Sequence, residues 1–140
     1  MNVIVCIDNH LGMMFNNRRQ SKDEVVVEKI KEIVGSKKLY TNKFSSKLFG
    51  DFCTTVQDSL LFSMLNSENE EKEESYCFVE NIDIAPYFNK IGSLYIFKWN
   101  RDYPYDCLLK DGYRNIFHLL SREDFKGKSH DNITLEIWKR

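Results

Sequence analysis

The chain has 140 residues, of which 42% are apolar, 29% charged and 14% aromatic. That length supports one buried core without disulfide or metal staples. With 20 basic and 21 acidic residues the net charge is −1, which excludes the broad positive field that draws in nucleic acid or an anionic membrane. No run approaches the ~18 consecutive apolar residues of a membrane span. The start of the chain shows neither a basic stretch nor a small-residue cleavage site, so no leader segment is expected. Cys6, Cys53, Cys77 and Cys107 show no CxxC spacing. They read as small buried thiols, with a cytoplasmic location as the default.

In chain order, Val3–Ile7 reads as an apolar strand that stops at Asp8, followed by a Gly12-Met13 turn. Ser21 and Glu24 have the spacing of a capping box. Val26, Ile30, Ile33 and Val34 then form one helical face, and Gly35 stops the helix. Leu39–Thr41 reads as a second strand. Ser45 is expected to cap a short helix through Lys47, Leu48 and Phe49, ended by Gly50. A further helix starts at Asp58 and carries Leu60, Leu61, Met64 and Leu65. Asn66–Ser75 holds five glutamates and reads as a solvated loop. Tyr76–Val79 is a short central strand. Asp83 is expected to cap a helix over Ile84–Lys90, with Gly92 after it and a strand over Leu94–Trp99. Residues 115–122 and 132–139 read as a hairpin whose last strand alternates Ile133, Leu135 and Ile137 against Thr134, Glu136 and Trp138. The order β-α-β-α-(α)-β-α-β-β-β predicts one α/β domain over residues 1–140. Its form is three-layer αβα, with a mostly parallel sheet and a C-terminal antiparallel hairpin.

This order, with several local strings, resembles the dihydrofolate reductase family. The strand ending at Asp8, the Gly12-Met13 turn and the capped helix match that family's substrate-side loop and helix. Asn42-Lys43-Phe44-Ser45 stands where the family has a Gly-Arg-x-Thr string for cofactor phosphate. The resemblance implies NADPH as cofactor and Asp23 or Glu24 as the acid assisting substrate protonation. One departure is chemical: the family's glycine pair after the central strand is Val79-Glu80-Asn81 here. Glu80 would crowd and repel a pyrophosphate, so no cofactor is firmly predicted. The Trp or Pro expected before the first helix is replaced by Arg18-Arg19-Gln20. The chain also resembles short bacterial proteins that carry the label ribonuclease Z. That metallo-hydrolase uses an HxHxDH cluster, whereas His10, His118 and His130 are far apart, so no metal site is predicted.

Strand ends of open α/β sheets face the ligand crevice. Asp8, Arg18, Arg19, Asn42, Lys43 and Ser45 are the candidate binding residues on that ground. Two guanidiniums, a lysine and a capping hydroxyl near helix starts suit a phosphate or carboxylate. Asp23 and Glu24 are the candidate acid–base pair, although both residues also suit a helix N-terminus. His130, in the bend Lys128-Ser129-His130-Asp131, reads as a polar loop residue. The expected function is binding of a small anionic ligand, a nucleotide or pterin, at the strand-end cleft. The alternatives are a nicotinamide-dependent reductase and an interaction module that forms a homodimer through its final hairpin.

Overall fold

The computed structural model describes residues 1–67 and 74–140. Its main sheet contains β1 (Asn2–Ile7), β4 (Leu39–Thr41), β5 (Thr54–Thr55), β6 (Tyr76–Phe78), β7 (Ser93–Lys98), β9 (His118–Phe125) and β10 (Ile133–Lys139). The spatial order is β5-β4-β6-β1-β7-β10-β9. Neighbours from β5 to β7 run parallel, and β10 pairs antiparallel with both β7 and β9. The expected mostly parallel sheet with a C-terminal antiparallel hairpin is therefore present.

Two helices cover opposite faces. In α1 (Glu24–Val34) the buried positions are Val26, Ile30 and Val34, spaced four apart on one stripe. They pack with Ile4, Phe78, Phe97 and Leu135. In α2 (Asp58–Leu65), Leu61, Met64 and Leu65 pack with Val3, Val5, Cys77 and Ile96, while Leu60 is exposed. Alternate residues of β1 thus enter alternate cores, as a strand with both faces covered requires.

Several local expectations are corrected. The N-cap of α1 is Asp23, not Ser21. Its backbone is extended and its carboxylate accepts from Val25 N at 2.9 Å, and a full negative charge there also complements the helix dipole. Gly35 is at φ 59°, with its N–H on Lys31 O. Residues 45–52 make two 3₁₀ turns, Ser46–Leu48 and Gly50–Phe52, rather than a helix. Ser45 makes no side-chain cap bond there. Ile84–Lys90 shrinks to the 3₁₀ turn Ala85–Tyr87, since so short a segment seldom repays helix nucleation. Asp83 still accepts from Ala85 N at 3.0 Å. Strand β9 begins three residues later than expected. It is an exposed edge, so it lacks the one-sided burial that would have marked its ends. Most of the acidic run Asn66–Ser75 lies outside the described residues.

A second, three-stranded sheet was not anticipated. It orders β3 (Arg18–Arg19), β2 (Gly12–Phe15) and β8 (Cys107–Leu108). Asn16 and Asn17 join β2 to β3 with φ of 52° and 59°, the two left-handed residues of a tight hairpin turn. This hairpin puts Arg19 beside the C-terminal ends of β4 and β6. Among the described residues no helix is long and apolar enough to cross a membrane. All four cysteines are free thiols.

Candidate functional site

The five parallel strands end at one edge of the sheet, and their following loops supply the site. After β6 comes Val79-Glu80, and after β4 comes Asn42 to Ser45. Glu80 is buried and its carboxylate takes three short bonds. Arg19 Nε and Nη2 donate to Glu80 Oε1 and Oε2 at 2.5 and 2.7 Å, and Ser45 Oγ donates to Oε2 at 2.6 Å. The Arg19 guanidinium also lies over the Phe44 ring, 5.1 Å from its centroid. The bond to Glu80 is the main cause that raises the Arg19 pKa. An arginine fork on a carboxylate is the geometry of anion recognition, but here the anion belongs to the protein.

A cleft opens beside this pair, lined by Cys6, Arg19, Ser21, Asp23, Phe78 and Trp99 among others. Its water-accessible space is about 10 Å³, roughly room for one water. Burial, and then nearby Glu80, pushes the Cys6 thiol well up, so it is a protonated wall residue.

Asp23 closes the other end of the cleft. Its Oδ1 accepts from Val25 N and Lys128 N, both at 2.9 Å. Its Oδ2 accepts from Ser129 N at 2.9 Å, Ser129 Oγ at 3.1 Å and His130 Nδ1 at 2.9 Å. Burial alone would raise its pKa. The donors from Lys128, His130, Ser129 and Val25 outweigh that and hold it far below the usual carboxylate value. The Asp23 and His130 side chains are 0% and 3% exposed. His130 stacks on Trp99 with ring centroids 4.7 Å apart, and its Nε2 is 2.8 Å from Ser21 Oγ. The bend expected to be a polar loop is thus folded inward, and its histidine meets Asp23, not the adjacent Asp131.

The expected site residues separate into two groups. Arg19, Asn42 and Ser45 converge on the Glu80-Asn81 corner, and Asp23 reaches the same cleft. Asn42 there is a bracket: its Nδ2 donates to Asp58 and Asn81, and its Oδ1 accepts from Ser45 N. Arg18, next in sequence to Arg19 on a strand, leaves the opposite face and is exposed. Lys43 is exposed as well. Asp8 is buried and clamps loops: Oδ1 accepts from His10 N and Gly12 N, Oδ2 from Gln20 Nε2 and Tyr103 N. Glu24 is on the outside, paired with Lys128 at 2.9 Å. Glu80, Ser21 and His130 are the additions the structure makes. The only sequence hint to the first was its misfit with the expected glycines. No set of three or more His, Cys, Asp or Glu residues placed to hold a metal occurs among the described residues.

Gly127 shows how tightly the Asp23 end is built. A Cβ at Gly127 would lie 2.5 Å from Asp23 Oδ2 and 2.7 Å from Ile133 Cδ1. Gly127→Ala is expected to cost about 1–3 kcal/mol through overpacking, read as a fall in melting temperature on the order of 3–10 °C.

No family model matches the sequence, and no curated protein matches it. Among solved structures, a dihydrofolate reductase from Enterococcus faecalis complexed with NADP(H) and RAB-propyl is similar. It superposes with a TM-score of 0.69 at 9% identity, covering 99% of this chain and 95% of that one. From β1 through β10, then, the chain has the dihydrofolate reductase fold.

Proposed function

We propose that this protein binds a small anionic ligand, of nucleotide or pterin class, at the strand-end cleft. The ligand's anionic group takes the seat on Arg19 and Ser45 that Glu80 now holds. The carrying observation is that seat itself: a two-pronged guanidinium and a buried hydroxyl converge on one carboxylate. A side-chain carboxylate and a ligand's carboxylate or phosphate are alternative anions for one guanidinium fork.

A nicotinamide dinucleotide fits this arrangement poorly. The loop after β6 carries Glu80 in place of the glycines that would let backbone approach a dinucleotide's pyrophosphate. The reductase alternative also needs a proton donor. Asp23 is kept ionised by its five donors, and Glu24 lies on the outer surface with Lys128. Small-anion binding is therefore the better supported reading.

The test is a thermal-shift and calorimetric titration with AMP, inorganic pyrophosphate and folate. Glu80→Gln vacates the charge and is expected to tighten the best of these at least ~10-fold, about 1.4 kcal/mol. Arg19→Ala should abolish the response. If none of the three probes shifts the wild type or Glu80→Gln, the reading fails.

A further inference from the structure

We propose that Ser21, His130 and Asp23 form a nucleophilic triad that cleaves short-chain acyl esters at the cleft. Ser21 Oγ is 2.8 Å from His130 Nε2, and His130 Nδ1 is 2.9 Å from Asp23 Oδ2. A nucleophile, a base and an acid that orients the base, each within hydrogen-bond reach of the next, are recognised by geometry and not by chain order.

The hydrogen-bond directions follow from the chemistry of each group. Ionised Asp23 is acceptor-only, so His130 Nδ1 carries the proton it donates. In the neutral ring that leaves a lone pair on Nε2, and the Ser21 hydroxyl donates to it. This is the tautomer a general base needs. The ring is held by stacking on Trp99, by Ser129 Oγ 3.2 Å from Nδ1 and by Tyr103 OH 3.5 Å from Nε2.

The three residues are not explained by helix capping alone. Asp23 caps α1 by its bond to Val25 N, and Ser21 contributes nothing to that cap. The Ser21 hydroxyl is instead at the wall of the cleft, half-buried. Arg19 and Lys22 are the cations on the same wall. Glu80 holds Arg19, so of these two it is Lys22, adjacent to Ser21, that can meet negative charge building on a carbonyl oxygen. The other walls include Val26, Phe49, Phe78 and Trp99, which suits an apolar acyl group. Ser21 is half-buried and Lys22 exposed, so an ester meets Ser21 at the mouth of the cleft, and the interior, with room for about one water, takes no long acyl chain.

In the reaction, Ser21 Oγ attacks the ester carbonyl carbon and its proton passes to His130 Nε2. The bond from that carbon to the leaving oxygen breaks, and His130 returns the proton to the departing alcohol. Water, deprotonated by His130, then attacks the acyl-Ser21 ester. The carboxylic acid leaves and Ser21 recovers its proton. Ester and water become acid and alcohol, and no other reactant is needed.

A small fluorophosphonate is incubated with the native chain and with heat-unfolded chain, and adducts are read by intact mass and peptide mapping. The expected result is one adduct, on Ser21, in the native chain only. It should be absent in Ser21→Ala, and its rate should fall at least ~100-fold in His130→Gln. p-Nitrophenyl acetate turnover should fall in parallel. Ser21→Ala should still melt cooperatively, lower by no more than ~5 °C for the one hydrogen bond removed, which separates lost chemistry from lost fold. A native wild-type chain that stays unmodified, or an adduct that persists in Ser21→Ala, overturns the proposal. Neither result depends on anion binding at Arg19, which its own titration tests.

Discussion

Replacing Asp23 by alanine is expected to cost about 4 kcal/mol of folding stability, enough to unfold a large fraction of a marginal domain. The change removes an N-cap, worth ~1 kcal/mol. It also strands the N–H groups of Lys128 and Ser129 and the His130 ring, which now share one buried carboxylate. Each stranded donor adds about 1 kcal/mol or more. Urea denaturation at pH 7 measures the loss directly. The same residue sets an acid limit. In the unfolded chain Asp23 binds its proton near its ordinary value of 3.8, and in the folded chain only well below that. Its contribution is therefore fully present above the unfolded value and is lost as pH falls through the folded one. The gap in stability between wild type and Asp23→Ala should narrow as pH is lowered from about 5 toward 2. A pH-independent gap would show that the carboxylate's charge is not what holds the bend.

Arg19→Ala is expected to destabilise by about 3 kcal/mol, because it strips the buried Glu80 carboxylate of its cation and leaves it the Ser45 hydroxyl. Arg19→Ala/Glu80→Ala should recover most of that loss, since the pair removed together leaves no orphan charge. A double-mutant cycle in urea, with a coupling energy above ~1 kcal/mol, checks this. If the double variant is as unstable as the sum of the singles, Arg19 and Glu80 do not act as one unit.

The architecture was legible where each element's pattern is local. Val26, Ile30 and Val34 mark α1, and Gly35 ends it. The alternation in Ile133–Trp138 marks β10, and the order of elements is enough to give the sheet. The site was less legible, because its bonds span long separations. Asp23 meets His130 across 107 residues and Arg19 meets Glu80 across 61. A sequence shows that Arg19 wants an anion, but not that Glu80 is the one it finds. The Ser21-Glu24 spacing suggested a capping box, yet a carboxylate two residues on outcompetes a hydroxyl for the same N–H groups. The Asn16-Asn17 pair did carry a readable signal for the β2–β3 hairpin that delivers Arg19.

The central place of β1 has a consequence for how the chain reaches this state. Asn2 pairs with Tyr76 on one side and Ser93 on the other, so the strand at the heart of the sheet finds its first neighbour only once more than half of the chain is available. Such non-local pairing slows folding and keeps the apolar segment Val3–Ile7 uncovered meanwhile. Assembly during synthesis must wait for β6 and β7, and nascent chains stalled before them are the species most prone to aggregate.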